Sequence, residues 1–391
     1  MIGLVIESPL RPYCQQMKRK FTMRVGIAGA GAIAMGYAAF LFANGHAAWL
    51  WSPSGDGTRE LREGKELQVS GAIEGSFRPH VAEGAADLAK CDVIVLALPA
   101  YGYRAVLDEL ADHLESRHTV VISAHLSFAA LYLAKRLSKR GLRIPIAVWN
   151  TTLLTAKAQS RLNVRVGAIR SKVDMAVIPV RSADDACKVC TEVFGDRFLL
   201  KDDLLTIALS NLNPQNHMGI ALCNLTRIER GETWGQNSNM TPAVARLLER
   251  LDQERIAIAS AFGKTVRTIF DHSALSHGVS GDSVTEIYAN LAASGKDPQG
   301  PKNINTRYVL EDVPFGLVPM LHLARLSGAS ARLHESGVEL LEACYGRDFA
   351  AVNDILGELG PLDIDRLRWL VVEGYPVGSL SEGVRKDAAS Q

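Results

Sequence analysis

The sequence lacks the features that define several large protein classes. Its 391 residues carry a formal net charge of +1, so there is no basic excess of the kind that binds a nucleic-acid backbone. No stretch is apolar for long enough to cross a bilayer, which argues against a membrane partner. The six cysteines are scattered along the chain, and this usage indicates a reducing, cytoplasmic location rather than a disulfide framework.

The sequence also has little that would hold a metal ion. Cys187 and Cys190 are the only closely spaced cysteine pair, and they lie in a segment with helical periodicity and no histidine at metal-ligand spacing. We therefore predict two packed residues and no metal site. In residues 1–22 the basic cluster follows the apolar run, the reverse of a signal peptide, and we expect a disordered extension there.

The most informative feature is a glycine-rich turn between a predicted strand and a predicted helix. The apolar run 24–28 precedes it, a helix-like segment follows, and a second strand-like run lies at 47–51. This order is the context in which a Gly-x-Gly-x-x-Ala turn indicates a dinucleotide site, with the phosphates at the helix N-terminus. The predicted cofactor-binding residues of the turn are Gly29, Ala30, Gly31, Ala32 and Ile33.

Strand-like and helix-like runs alternate through the first half of the chain, which predicts a parallel sheet. We expect the extended segments at 164–168 and 175–179 to complete that sheet as antiparallel additions. From Asp203 onward helical patterns replace the strands, most clearly over 242–262. The predicted fold is a Rossmann-type α/β nucleotide-binding domain over 23–202, followed by an all-α domain over 203–391 that supplies the substrate and catalytic groups.

The end of the second strand bears on the choice between NAD and NADP. NAD-specific domains place a carboxylate there to bind the ribose hydroxyls, but this strand continues into Ser52 and the loop that contains Arg59. These two residues could accept a 2′-phosphate, which favours NADP slightly. NAD stays open, since Asp56 could reach back to the ribose.

Two polar segments in the second half are unlike a hydrophobic core. One contains Asn213-Pro214-x-x-His217, and the other contains Arg307-Tyr308-x-x-Glu311-Asp312-x-Pro314. Taken singly, a histidine or an arginine with neighbouring acids is more often structural than catalytic. Together, behind the glycine-rich turn, they resemble the octopine/nopaline (opine) dehydrogenases over residues 23 to 375. That family reductively condenses an amino acid with a 2-oxo acid, through an imine, using NAD(P)H.

The resemblance implies roles for particular residues. His217 would be the general acid/base, because imidazole titrates near neutral pH, and Asp312 would orient it, although Glu311 is adjacent. Arg307, Asn213 and Tyr308 would bind substrate. Pro99 and Ala100, after a strand, would line the nicotinamide region.

Two other functions stay open. One is a short-chain hydroxyacid dehydrogenase or ketopantoate-type reductase, which would need a catalytic lysine where this chain has none between Lys201 and Lys264. The other is a non-catalytic nucleotide sensor. The apolar helices of the second half leave both a monomer and a homodimer open.

Overall fold

The computed structural model describes residues 23–378. The extension predicted for residues 1–22 lies outside the described residues, as does the polar stretch after residue 378. Within the described range no helix is both long and apolar enough to span a membrane.

The described chain contains twelve strands. In chain order they are β1 (Arg24–Ala28), β2 (Ala47–Trp51), β3 (Leu67–Gly71), β4 (Gly75–Phe77), β5 (His80–Val81), β6 (Val93–Leu96), β7 (Thr119–Ile122), β8 (Ile146–Trp149), β9 (Leu154–Ser160), β10 (Asn163–Ile169), β11 (Val173–Ile178) and β12 (Phe198–Leu200).

The α-helices of the first half are α1 (Ala32–Ala43), α2 (Arg59–Arg62), α3 (Ala85–Leu88), α4 (Tyr103–Ala111), α5 (Ala129–Lys139) and α6 (Ala183–Phe194). Those of the second half are α7 (Leu204–Ser210), α8 (Asn213–Glu229), α9 (Pro242–Ala261), α10 (Ile269–His277), α11 (Val284–Ala293), α12 (Arg307–Leu310), α13 (Val318–Ser327), α14 (Arg332–Tyr345), α15 (Phe349–Val352) and α16 (Ile364–Glu373).

The main sheet has eight strands in the order β12-β11-β8-β7-β6-β1-β2-β5. Its pairs are parallel except that of β11 with β8. Every residue of β6, β7 and β8 is buried, as expected for central strands of a parallel sheet that is covered on both faces. This is the predicted Rossmann-type fold, and the helices of the second half follow it.

A second sheet, with the order β4-β3-β10-β9, corrects one prediction. Residues 164–168 belong to β10 of this sheet and do not extend the main one. The physical reason is the pattern of β10, whose buried Val164 and Val166 alternate with exposed residues, as in a strand with one solvated face. Helix α1 lies between the two sheets, which explains why its sequence is apolar on nearly every side.

The helical half packs around α8 and α9, with α14 against both. Glycines allow close contact where these helices meet. A Cβ on Gly219 would lie 2.5 Å from a methyl group of Leu248, and a Cβ on Gly337 would lie 2.5 Å from the sulfur of Met218. This packing fixes α8, whose second turn begins with the predicted active-site histidine, His217.

Candidate active site

The turn between β1 and α1 is shaped by Gly29. Its φ is +137°, and a Cβ there would lie 2.2 Å from the carbonyl oxygen of Ala97. A side chain is therefore excluded both by backbone conformation and by the neighbouring strand end. The Gly29 N–H donates to the carbonyl of Trp51 at 2.8 Å, so the turn is anchored to β2 as well.

Gly31 leaves open space at the start of α1. It is exposed, and a Cβ built on it would meet no atom within 4 Å. The N–H groups of the first helical turn, beginning with Ala32 and Ile33, have no partner within the helix. An exposed helix N-terminus beside an open glycine has the shape and polarity that a pyrophosphate requires, so these residues fit a dinucleotide.

The loop that carries Ser52 and Arg59 passes next to this turn at Gly57. The hydroxyls of Ser52 and Ser54 are 3.3 Å apart, and Ala30 lies close to the same loop near Gly57. Arg59 donates to the carboxylate of Asp56, and both side chains are about 60% exposed. Arg59 and Asp56, predicted as alternatives, are thus an exposed ion pair in the structure.

Pro99 and Ala100 differ in their surroundings. Pro99 lines a cavity of about 230 Å³, which we call the cleft cavity and which also reaches Gly31. Ala100 is fully buried, and its N–H donates to the carboxylate of Glu311 at 2.9 Å. The loop after β6 is therefore attached to the helical domain through Ala100.

His217 and Asp312 lie together. The Nδ1 of His217 is 2.6 Å from Oδ2 of Asp312, and the two side chains are 20% and 13% exposed. Pro214 lies in the first turn of α8, where its missing N–H costs nothing, and His217 follows one turn after Asn213. The carboxylate beside the imidazole fixes the orientation of its ring.

The ring of Tyr308 packs flat against the imidazole ring of His217. The two rings stack with centroids 3.6 Å apart and an interplanar angle of 7°. The Tyr308 hydroxyl donates to the side-chain carbonyl of Gln236. The structure thus places Tyr308 against His217, where it restricts movement of the imidazole ring.

Asp312 is held in place by the segment that follows it. Val313–Leu317 is a turn of π-helix, a conformation that recurs at functional sites. A Cβ on Gly316 would lie 2.4 Å from the Pro214 ring, so a glycine is needed for this turn to pack against the start of α8. Asn353 donates to the carbonyl oxygen of Pro314 at 2.7 Å, which fixes the turn from its other side.

Glu311 serves a different purpose from Asp312. Its carboxylate is buried and accepts from the Arg307 guanidinium as well as from Ala100. Arg307 uses Nε for this contact, and its side chain remains 71% exposed at the wall of the cleft cavity. The exposed part of the guanidinium is a suitable donor for a carboxylate ligand.

A second cavity of about 650 Å³, which we call the large cavity, lies on the other side of this pair. His217 lines the large cavity, Asp312 lines the cleft cavity, and Asn213 lines both. The imidazole and carboxylate therefore stand where the two cavities meet. No group of three potential metal ligands exists among residues 23–378.

Sequence reasoning did not find two polar residues that line the large cavity, Arg170 and Gln236. Arg170 comes directly after β10, and Gln236 lies between α8 and α9. Neither stands in a motif, and only the tertiary fold brings them to His217. The polar character of their segments was a weak signal that many surface loops share.

The fold and site define a class: a dinucleotide-dependent oxidoreductase in which the His217–Asp312 pair lies where the cleft cavity and the large cavity meet. Residues 200–345 match the family model described as the α-helical domain of NAD/NADP octopine/nopaline dehydrogenase, and residues 25–125 match the model of ketopantoate reductase PanE/ApbA. The helical half of the chain thus matches the octopine/nopaline dehydrogenase domain.

Individual relatives agree with this assignment. The chain is 27% identical over 340 residues to an opine dehydrogenase of Arthrobacter sp. (strain 1C), covering 85% of this chain and 94% of that protein. An octopine dehydrogenase structure in complex with NADH and agmatine aligns with a TM-score of 0.76 at 15% identity, covering 93% of this chain and 100% of the other. A yersinopine dehydrogenase bound to NADP+ aligns with a TM-score of 0.67 at 16% identity, covering 90% and 98%.

Proposed function

We propose that this chain catalyses the NAD(P)H-dependent, reversible condensation of an amino acid with a 2-oxo acid to give an N-(carboxyalkyl) amino acid. The observation that carries the proposal is the 2.6 Å contact of His217 with Asp312 where the two cavities meet. One cavity reaches the dinucleotide turn and the other has room for a second substrate. The similarity to opine dehydrogenases supports the same reaction.

The proton transfers of this reaction suit His217. The amine must lose a proton before its nitrogen attacks the carbonyl carbon of the oxo acid and forms the C–N bond. The former carbonyl oxygen then takes up protons and leaves as water, which gives the imine. His217 accepts the first proton and returns one to the leaving oxygen, while Asp312 stabilises the imidazolium between these steps.

The bound dinucleotide supplies the hydride that reduces the imine carbon and is itself oxidised. Gly31 and the N-terminus of α1 would hold the pyrophosphate, and Pro99 would line the space for the nicotinamide. Arg307 binds a carboxylate of the oxo acid from the cleft cavity. Asn213, on the wall between the cavities, positions the reacting groups, and Tyr308 keeps the imidazole in place.

We further propose a modest preference for NADPH. Ser52 and Arg59 belong to the loop that follows β2, and a 2′-phosphate would compete with Asp56 for the Arg59 guanidinium. Arg59→Ala should then lower the ratio of kcat/KM for NADPH to that for NADH. Arg62→Ala, which removes an exposed arginine of α2 paired with Glu83, is the matched control. An unchanged ratio in the Arg59 variant would remove this preference.

The reaction is tested by following NADPH and NADH oxidation with a matrix of amino acids against pyruvate, 2-oxoglutarate and oxaloacetate. Oxidation that requires both an amino acid and an oxo acid is the expected result. Oxidation with an oxo acid alone would indicate a hydroxyacid dehydrogenase. Cofactor binding without any turnover would indicate a nucleotide sensor. A cytoplasmic location stays a prediction from the sequence, and both a monomer and a homodimer stay open.

A further inference from the structure

The large cavity contains a cation that the proposed function does not yet use. Arg170 lines this cavity together with His217 and Asn213. Its Nε donates to the carbonyl oxygen of Thr152 at 2.9 Å, and Thr152 itself lines the cleft cavity. Arg170 is therefore placed close to the point where the two cavities meet.

No acidic residue neutralises Arg170 within residues 23–378. The nearby Asp174 is buried, but it pairs with Arg267, at 2.5 Å from Oδ2, and with Lys201, at 3.4 Å from Oδ1. The terminal nitrogens of Arg170 make no hydrogen bond to the described residues, and they are not among the fully buried polar atoms that lack a partner. Burying a guanidinium without a negatively charged partner costs free energy, and a bound anion would reduce this cost.

The chemistry of the large cavity favours an anionic ligand. Among the described residues, its polar lining consists of amides, hydroxyls, histidines and the cations Arg170 and Lys296, without a carboxylate side chain. Partial burial lowers the pKa of the Arg170 guanidinium, so an anion in contact with it would restore part of the lost solvation.

The product of the proposed reaction needs two cationic contacts. It is a secondary amine with a carboxylate on each side of the nitrogen. Because the nitrogen must face His217, the two carboxylates extend away from the imidazole in different directions. Arg307 is exposed in the cleft cavity and Arg170 lines the large cavity, so each carboxylate has one arginine within its own cavity.

We propose that Arg170 binds the α-carboxylate of the amino donor in the large cavity, while Arg307 binds that of the oxo acid in the cleft cavity. This inference rests on the proposed function and adds to it the site and orientation of the amino acid. A planar guanidinium can hold a carboxylate by two parallel hydrogen bonds. The site would therefore distinguish an amino acid from the corresponding carboxamide, which has the same shape but no charge.

The test compares Arg170→Gln with the unaltered protein, using the most active amino acid of the substrate matrix and its carboxamide, each with the same oxo acid. We expect Arg170→Gln to raise the KM for the amino acid about 10- to 100-fold, the range of a charged hydrogen-bonded contact. The KM for the oxo acid should change less than about twofold. The preference for the amino acid over its carboxamide should nearly disappear.

Two further variants serve as controls. Arg170→Lys keeps the charge without the planar geometry and should recover part of the lost affinity. Arg165→Gln removes an exposed arginine of β10 that lies outside both cavities and should leave all constants unchanged. Thermal unfolding of each variant shows whether the fold is retained.

The outcomes separate the two proposals. The role of Arg170 alone is overturned if turnover requires both substrates but Arg170→Gln raises the KM of the oxo acid instead. It is also overturned if Arg170→Gln keeps the full preference for the amino acid over its carboxamide. If the unaltered protein binds the dinucleotide but its turnover never requires both substrates, the proposed function is overturned, and so is the carboxylate-binding role of Arg170.

Discussion

Asp312→Asn is the substitution that most directly tests the active-site geometry. It keeps the size of the side chain but removes the negative charge 2.6 Å from His217 Nδ1. At an effective dielectric constant of about 20, opposite charges about 4 Å apart attract by about 4 kcal/mol. Since both side chains are partly exposed, we expect a loss of about 2–4 kcal/mol of stabilisation of the imidazolium, which corresponds to about a 30- to 1000-fold lower kcat.

The assay is steady-state oxidation of the reduced dinucleotide with both substrates present, combined with thermal unfolding. A second histidine–carboxylate pair provides the control, because Nδ1 of the fully buried His334 lies 2.8 Å from Glu254. Glu254 also accepts from two backbone N–H groups at the start of α14. Glu254→Gln should lower the melting temperature and leave kcat unchanged. Asp312→Asn should lower kcat and leave the melting temperature nearly unchanged. A kcat for Asp312→Asn within about threefold of the parent, a difference of under about 0.7 kcal/mol, would refute the assigned role.

Three further outcomes are expected. Gly31→Val should fold normally but bind NADH and NADPH at least about 10-fold more weakly in a fluorescence titration, because the side chain fills the space for the phosphates. Unchanged dinucleotide affinity in this variant would contradict the prediction. Gly29→Ala should instead lower the melting temperature. Burial lowers the pKa of His125 to about 3, so the unfolded chain takes up its proton first as the pH falls below about 6.5. The free energy of unfolding should then be highest above that pH and decrease by about 1.4 kcal/mol per pH unit between about pH 6.5 and about pH 3. Urea unfolding of His125→Gln should show a flatter dependence on pH over this range. Because the large cavity presents Arg170 and no described carboxylate, arginine and lysine should have a lower kcat/KM than neutral amino acids of similar size, and a preference for arginine would contradict this reasoning.

The parts of the fold that follow from short-range patterns were predictable. The strands predicted over 24–28 and 47–51 are found at those residues, and the helix predicted over 242–262 is found at Pro242–Ala261. The strands are identified by their order around the glycine-rich turn, and the helix by its apolar periodicity. The glycine-rich turn between the first two is identified by chain order alone. The pairing of β10 was wrong, because the alternation of buried and exposed residues identifies a strand with one solvated face but not its neighbours.

Side-chain competition explains another difference. The segment 349–359 has the pattern of one helix, but the structure divides it into α15 and a short 3-10 turn at Leu356–Leu359. The Asn353 side chain accepts from the N–H groups of Ile355 and Leu356 and donates to Pro314, which replaces helical hydrogen bonds. Arg170 could not be predicted for a related reason: its importance depends on the absence of a partner, and partners are set by tertiary contacts.

The carboxylate of Glu311 has a consequence for the movement of the two domains. It accepts at once from the Ala100 N–H of the nucleotide-binding domain and from Arg307 of the helical domain. Any hinge opening that parts these elements leaves a buried carboxylate with one donor fewer, at a cost of about 1–3 kcal/mol. The hydrogen bond from Ala100 therefore favours the observed arrangement of these two elements. A substrate carboxylate at Arg307 and a nicotinamide beside Pro99 would each influence Glu311. The affinities for these two ligands would then be thermodynamically linked, so that each ligand changes the affinity for the other by the same factor.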